Sequence, residues 1–283
     1  MFATALRLEL NRRNQEYAQV HRLPHQLSYG AEPTVAYEPS ADALRHGNFL
    51  DASYAAILAK PDWKRRLNKP HSQSKSSLPR SDRRWRELDS CNSSDALLMN
   101  VFCYPCVCES SSLIGMMGVE LGCAPQFGMR ARVPLLNGRF DRTEVDMRLG
   151  NLLVESKLTE PGFQQKTKKF VQQYRDFDVI FQRSLLPQTR ETYLSYQLLR
   201  NVMAAHATGD SFCVITDARR PDLIEAWFLV VRAVKPGDLR RRCKVLTWQE
   251  LAEALPVELR SFLGAKYGIV VDGQQLPARE EAI

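Results

Sequence analysis

Two carboxylates and an ammonium stand at a spacing that could do chemistry: Asp146, then eight residues, then Glu155-Ser156-Lys157. Hard oxygen ligands on adjacent strands can hold Mg²⁺, which keeps several of its waters and bridges to a phosphate. An ammonium two residues beyond such a ligand can orient or help deprotonate an attacking water and offset charge in the transition state. The three groups meet only if the chain reverses between them. Gly150-Asn151 is a pair of the kind that closes a two-residue hairpin.

Counting outward from that turn, Leu149 faces Leu152, Arg148 faces Leu153, Met147 faces Val154, Asp146 faces Glu155, Val145 faces Ser156 and Glu144 faces Lys157. Side chains alternate across a sheet, so Val145, Met147, Leu149, Leu152 and Val154 are expected on one apolar face, with Glu144, Asp146, Arg148, Glu155 and Lys157 on the other. Directly opposed residues lie about 4.5–5.5 Å apart at Cβ, and like charges so placed are destabilising unless a cation lies between them. A metal site of Asp146, Glu155 and the carbonyl of Ser156 is the reading this favours. Glu144 is expected to pair with Lys157 or to join that site. The plain alternative is a half-exposed hairpin with a solvated charged face.

The elements around the hairpin can be read in outline. Helices are expected over Ala3 to Val20, from Phe49 to Ala59 behind an Asn48 cap and before Pro61, over Ser94 to Cys103, and from about Glu109 to Leu121. Gln126 to Leu135 alternates as a strand with one apolar and one basic face. Pro161 to Phe177 reads as a helix with Phe163, Phe170, Tyr174 and Phe177 along a stripe, and Thr192 to Ala207 as another. Phe212 to Thr216 and Ala226 to Val231 read as buried strands. Thr247 and Glu250 form a capping box for the next helix, and Pro256 opens one that ends near Gly268. The fold class is α/β, built on a mixed sheet with helical additions at both ends. Residues 1–90 are expected to be a helical, basic region with a mobile linker at 70–81, 91–235 the core, and 236–283 a helical extension and polar tail.

Asp146 followed by Glu155-Ser156-Lys157 resembles the active-site signature of the PD-(D/E)XK nuclease superfamily, the restriction-endonuclease-like fold. The resemblance covers roughly Ser94 to Val231: a helix, a three-stranded meander carrying the acidic residue and then the E-x-K, a crossover helix and a further strand. Val145 stands where the family's motif has proline, and the crossover helix does not spell the Q-x-x-x-Y of the exonuclease branch. Arg84 to Pro105 and Thr247 to Ile269 are also similar to bacterial proteins classed as restriction-endonuclease-like. The resemblance implies a Mg²⁺- or Mn²⁺-dependent endonuclease with Asp146, Glu155 and Lys157 catalytic. It also implies an acidic residue from an upstream helix, for which Glu109 and Glu120 are the candidates. The alternative is an inactive nucleic-acid-binding protein on the same fold.

Composition agrees with such a partner. The chain of 283 residues carries a net charge of +7, with 44% hydrophobic and 25% charged residues, the balance of a globular protein. Between Asp62 and Glu87 nine basic residues (Lys64, Arg65, Arg66, Lys69, Lys75, Arg80, Arg83, Arg84, Arg86) stand against three acidic ones. A polyanion is the natural partner of such a cluster, with a solvated basic loop as the plain alternative, and the resemblance favours DNA over RNA. Arg130, Arg132, Lys166, Lys169 and the run from Arg240 to Lys244 are expected to add backbone contacts. Trp63 and Trp85 bracket the linker and read as buried anchors for its ends, with base-stacking platforms as the alternative. Arg7, Glu9, Arg12 and Arg13 are unlike a secretion signal, and no apolar run is long enough for a membrane helix. The seven cysteines are odd in number and irregularly spaced, which points to reduced thiols in a cytoplasmic protein. Cys103, Cys106 and Cys108 lack the fourth ligand of a zinc site. A homodimer would suit coordinated cutting of two strands.

Overall fold

Five strands form the central sheet: β1 (Pro125–Arg130), β2 (Glu144–Leu149), β3 (Leu152–Ser156), β4 (Ser211–Thr216) and β5 (Cys243–Thr247). The computed structural model from which they are taken describes residues 1–28, 33–70 and 86–271. Most of the linker expected at 70–81, Arg83, Arg84, Trp85 and the polar tail therefore lie outside the described residues. The strands stand side by side in chain order. β1, β2 and β3 make an antiparallel meander, and β4 and β5 add parallel to β3. A parallel neighbour needs a crossover. Helix α3 (Tyr196–Thr208) lies between β3 and β4, and helix α4 (Pro221–Val231) between β4 and β5. The fold is α/β with a mixed sheet, as the sequence leads one to expect.

Both faces of the sheet are covered, so its central strands carry apolar residues on either side. Leu153, Phe212 and Val214 pack with Leu199, Val202 and Met203 of α3 and Trp227 of α4. Leu152, Val154, Cys213 and Ile215 pack on the other face with three helices, α1 (Phe2–Val20), α2 (Ser94–Phe102) and α5 (Val257–Tyr267). Ser93 caps α2 by accepting from the Ala96 amide, and Gly268 ends α5 in the left-handed region. Thr247 and Glu250 form the expected capping box at the start of the helix Trp248–Glu253.

Several elements differ from expectation. Ala226 to Val231 is the second half of α4 rather than a strand. A short apolar run suits either state, and Pro221 at the first helical position decides it. The last strand is Cys243–Thr247, beyond position 235, in a segment that reads first as basic. The helix expected over 161–177 is broken where Gln164 takes a φ of +57°. Gln165–Thr167 pairs instead with Thr192–Leu194, which removes the first turn of the helix expected from Thr192. Phe163, Tyr174 and Phe177 are buried all the same, while Phe170 is exposed. Pro61 opens the helix Pro61–Arg66 as well as ending the one before it. Asn48 does not cap a helix but donates to the carbonyls of Leu88 and Ser90.

Gly150 sits at φ +56°, and a Cβ placed there would lie 2.9 Å from Cys123 Sγ. A side chain in the left-handed region costs about 1–2 kcal/mol. Gly150→Ala should therefore lower stability by at least about that much, read as a shift in the urea midpoint with an unchanged slope.

Candidate active site

The hairpin forms in the expected register, with Leu149 opposite Leu152, Arg148 opposite Leu153 and Met147 opposite Val154. The ladder stops there. The expected pairs Asp146–Glu155, Val145–Ser156 and Glu144–Lys157 are not made as backbone pairs. Instead the Ser156 amide donates to Asp146 Oδ2 at 2.9 Å, while Lys157 stays with the parallel strand by donating its amide to Ile215 O at 2.9 Å. Side-chain alternation breaks at the same place. Phe127 and Met147 pack on the α2 side of the sheet, but Met129 and Val145 pack on the α3 side. Val145 thus leaves the apolar face expected for it. Gly128, at φ +68°, lies beside the break on β1. Where the two strands part, polar groups can enter without facing the core.

Glu155 and Lys157 are buried at 3% and 5% exposure, and Lys157 Nζ donates to Glu155 Oε1 at 2.6 Å. Helix α3 secures the same carboxylate. Gln197 Nε2 donates to Oε1 at 3.1 Å and Asn201 Nδ2 to Oε2 at 2.7 Å. A buried carboxylate is tolerable only when so matched. Burial alone would lower the Lys157 pKa, but Glu155, Glu160 and Asp146 outweigh it and raise it, so Lys157 is an ammonium. Trp248 Nε1 donates to the Lys157 carbonyl at 3.2 Å and fixes its backbone. Ser156 is buried, with Oγ donating to Ser94 O at 3.2 Å. The Asp146 carboxyl is held well above the usual carboxylate range by burial first, then by Glu155 and Asp95.

Asp95 is an acidic residue near these groups that sequence reading did not single out. It sits in the first turn of α2, buried, and accepts from Arg66 Nη2 at 3.0 and 3.1 Å and from Lys69 Nζ. An acidic side chain in a helix's first turn is so common a capping choice that nothing in the string marks it. Arg66 also bonds Glu144, and Lys69 lies 3.7 Å from it. Glu144 therefore pairs with these two cations and not with Lys157. Trp63, a buried anchor as expected, donates Nε1 to Pro125 O at 3.1 Å and holds the helix Pro61–Arg66 against β1. Glu109 and Glu120 are exposed, Glu109 beside the Cys106 thiol, and neither is among the charges that shift Asp146.

The expected basic contacts divide into two groups. Lys64, Arg65, Arg86, Arg130, Arg132, Lys166 and Lys169 are exposed. Arg66 and Lys69 are turned inward onto the acidic groups. Arg240, Arg242 and Lys244 are taken up by the carbonyls of Val234, Asp210 and Met117 respectively. A cavity of about 960 Å³ runs beside the site, lined by Lys60, Arg65, Arg66, Lys69, Arg130 and Glu144 among others. All seven cysteines are free. Among the described residues no three His, Cys, Asp or Glu side chains are gathered so as to hold a metal, and no helix is long and apolar enough to cross a membrane.

The mixed sheet thus brings Asp146, Glu155 and Lys157 to where the hairpin strands part, beside a cavity with basic side chains in its lining. The chain belongs to the family described as Restriction Endonuclease associating with ARP, whose model matches residues 12–268. That family is restriction-endonuclease-like, which implies a nuclease acting on nucleic acid. No curated protein and no solved structure matches the chain.

Because folding raises the Asp146 pKa, the folded state binds that proton more tightly than the unfolded one. The resulting stabilisation is complete below the ordinary carboxylate pKa of about 4 and is lost as pH rises through the folded value. Asp146→Asn should therefore be more stable than the parent at pH 7 without divalent ions, and the gap should shrink toward pH 4. Each kcal/mol corresponds to about 2–4 °C in Tm. Scanning calorimetry across pH checks this, and an equal gap at both ends would contradict it.

Proposed function

We propose that the protein is a Mg²⁺- or Mn²⁺-dependent endonuclease of the PD-(D/E)XK type, hydrolysing phosphodiester bonds in DNA. The observation that carries the reading is the Glu155–Lys157 pair standing beside Asp146, which accepts from the Ser156 amide, where the hairpin strands part. The donor set fits a hard divalent ion. Burial first, and then the nearby Glu155 and Asp95, make Asp146 hold a proton, and added positive charge would offset the share owed to the two carboxylates. Asp146, Glu155 and the carbonyl of Ser156 would hold the ion. When bound, it would shield the phosphate and lower the pKa of a water.

The chain's own residues do the rest. Gln197 and Asn201 fix both oxygens of Glu155, so the carboxylate needs little rearrangement to act. Lys157, charged and pinned through its backbone by Ile215 and Trp248, offsets negative charge on a reacting phosphate and can deliver a proton. Its raised pKa argues for that role over general base. Arg65 and Arg130 line the cavity where the flanking backbone would lie. Cutting both strands together would engage two copies of the chain, and the free thiols suit a cytoplasmic setting.

A second reading is a protein on the same fold that binds nucleic acid without cutting it. One observation favours it: Lys157 already neutralises Glu155.

Plasmid cleavage in Mg²⁺, abolished by EDTA, separates the two. Lys157→Ala should slow cleavage by about 10²–10³-fold, the usual cost of one electrostatic group in an active site. Binding without cleavage by the parent protein would favour the second reading. Affinity for DNA should fall steeply with salt, and Arg65→Ala and Arg130→Ala should each reduce the slope of log K against log salt by about 1.

A further inference from the structure

Arg66 and Lys69 serve two places at once. Both line the basic cavity, yet their polar ends reach into the acidic cluster. Arg66 bonds both oxygens of Asp95, at 3.1 and 3.0 Å, and also Glu144. Lys69 bonds Asp95 and lies 3.7 Å from Glu144. The Arg66 guanidinium passes over Gly128 so closely that a Cβ there would strike it. Arg66 Nε is buried without a hydrogen-bond partner, so this arginine is not fully satisfied where it stands. Asp95 is 5% exposed. A carboxylate so placed cannot lose its cations and stay ionised unless another positive charge takes over.

We propose that Arg66 and Lys69 form an ion-pair bridge that couples nucleic-acid binding in the cavity to divalent-cation binding at the carboxylates. The inference rests on the nuclease reading above. Without nucleic acid or metal, the two side chains neutralise Asp95 and Glu144 beside Asp146. A backbone phosphate in the cavity competes for the same N–H groups. Drawing them toward the phosphate leaves Asp95 short of positive charge, and a divalent ion beside Asp146 then supplies it. Each ligand thus removes part of the cost of binding the other. Such coupling must be reciprocal and of equal size in both directions.

The test uses the full chain and Ca²⁺, a hard oxygen-seeking cation like Mg²⁺. Ca²⁺ binding is measured by calorimetry with and without a short DNA duplex, after subtracting titration of the duplex alone and with duplex integrity checked on a gel. DNA binding is measured in Ca²⁺ and in EDTA. The expected result is tighter Ca²⁺ binding with duplex, within the range of about 5–150-fold typical of coupled sites, and the same factor for DNA when Ca²⁺ is added. Lys69→Gln should reduce both factors together. Asp95→Asn should strengthen DNA binding in EDTA more than Asp62→Asn does, although Asp62 lines the same cavity. Should Asp95→Asn fail to fold, the parent and Lys69→Gln measurements decide alone. Duplex binding with unchanged Ca²⁺ affinity would overturn the bridge and leave the nuclease reading standing. Absence of duplex binding even at low salt would overturn both.

Discussion

Like charges brought together away from bulk water must be matched by opposite ones, and the region around the β2–β3 hairpin is shaped by that requirement. Asp146, Glu155, Asp95 and Glu144 come from three elements and approach one another where the sheet opens. Each answers the constraint in its own way. Glu155 has an ammonium and two amides. Asp95 has a guanidinium and an ammonium, which it shares with Glu144. Asp146 has a backbone amide and a tendency to keep its proton. Its partner set is the least complete of the four.

The apolar structure exists in part to hold those groups at fixed positions. Helix α3 covers one face of the sheet with Leu199, Val202 and Met203, and its polar residues Gln197, Arg200 and Asn201 all turn to the hairpin. Arg200 donates to the carbonyls of Thr143 and Glu144 at 2.6 and 2.9 Å, securing backbone that β3 no longer pairs. Those two main-chain carbonyls at the opening between β2 and β3 thereby keep hydrogen-bond partners. Arg220 acts similarly beyond the sheet, donating to Leu158 O at 3.1 Å and Glu160 O at 2.9 Å.

The two ends of the chain are joined around a different kind of polar group. Lys266 on α5 is fully buried, with Nζ donating to Asn14 Oδ1 at 2.8 Å and Gly47 O at 3.0 Å and lying 3.6 Å from the Tyr37 ring centre. Burial lowers its pKa well below that of a free lysine. The N-terminal region is consequently tied to the last helix as well as to the site through Arg66 and Lys69. The basic stretch that reads as a separate surface feature is partly an internal one.

The local parts of this arrangement were written in the sequence. Gly150-Asn151 fixed a reversal, the turn set the register of the three pairs nearest to it, and Asp146 with Glu155-x-Lys157 stood out as a candidate site. Short-range rules sufficed because a two-residue turn and its flanking pairs depend on neighbours in the chain. Three things lay beyond them. The strands part after Met147 and Val154 because β2 follows β1 while β3 follows β4, a competition between distant partners. Ala226 to Val231 chose helix and Cys243–Thr247 chose strand according to what each could cover or pair with. Asp95, Arg66 and Lys69 joined the site through contacts spanning dozens of residues, which no spacing within a single segment records. Charges find their counterparts through space, and only the folded chain states which ones are in reach.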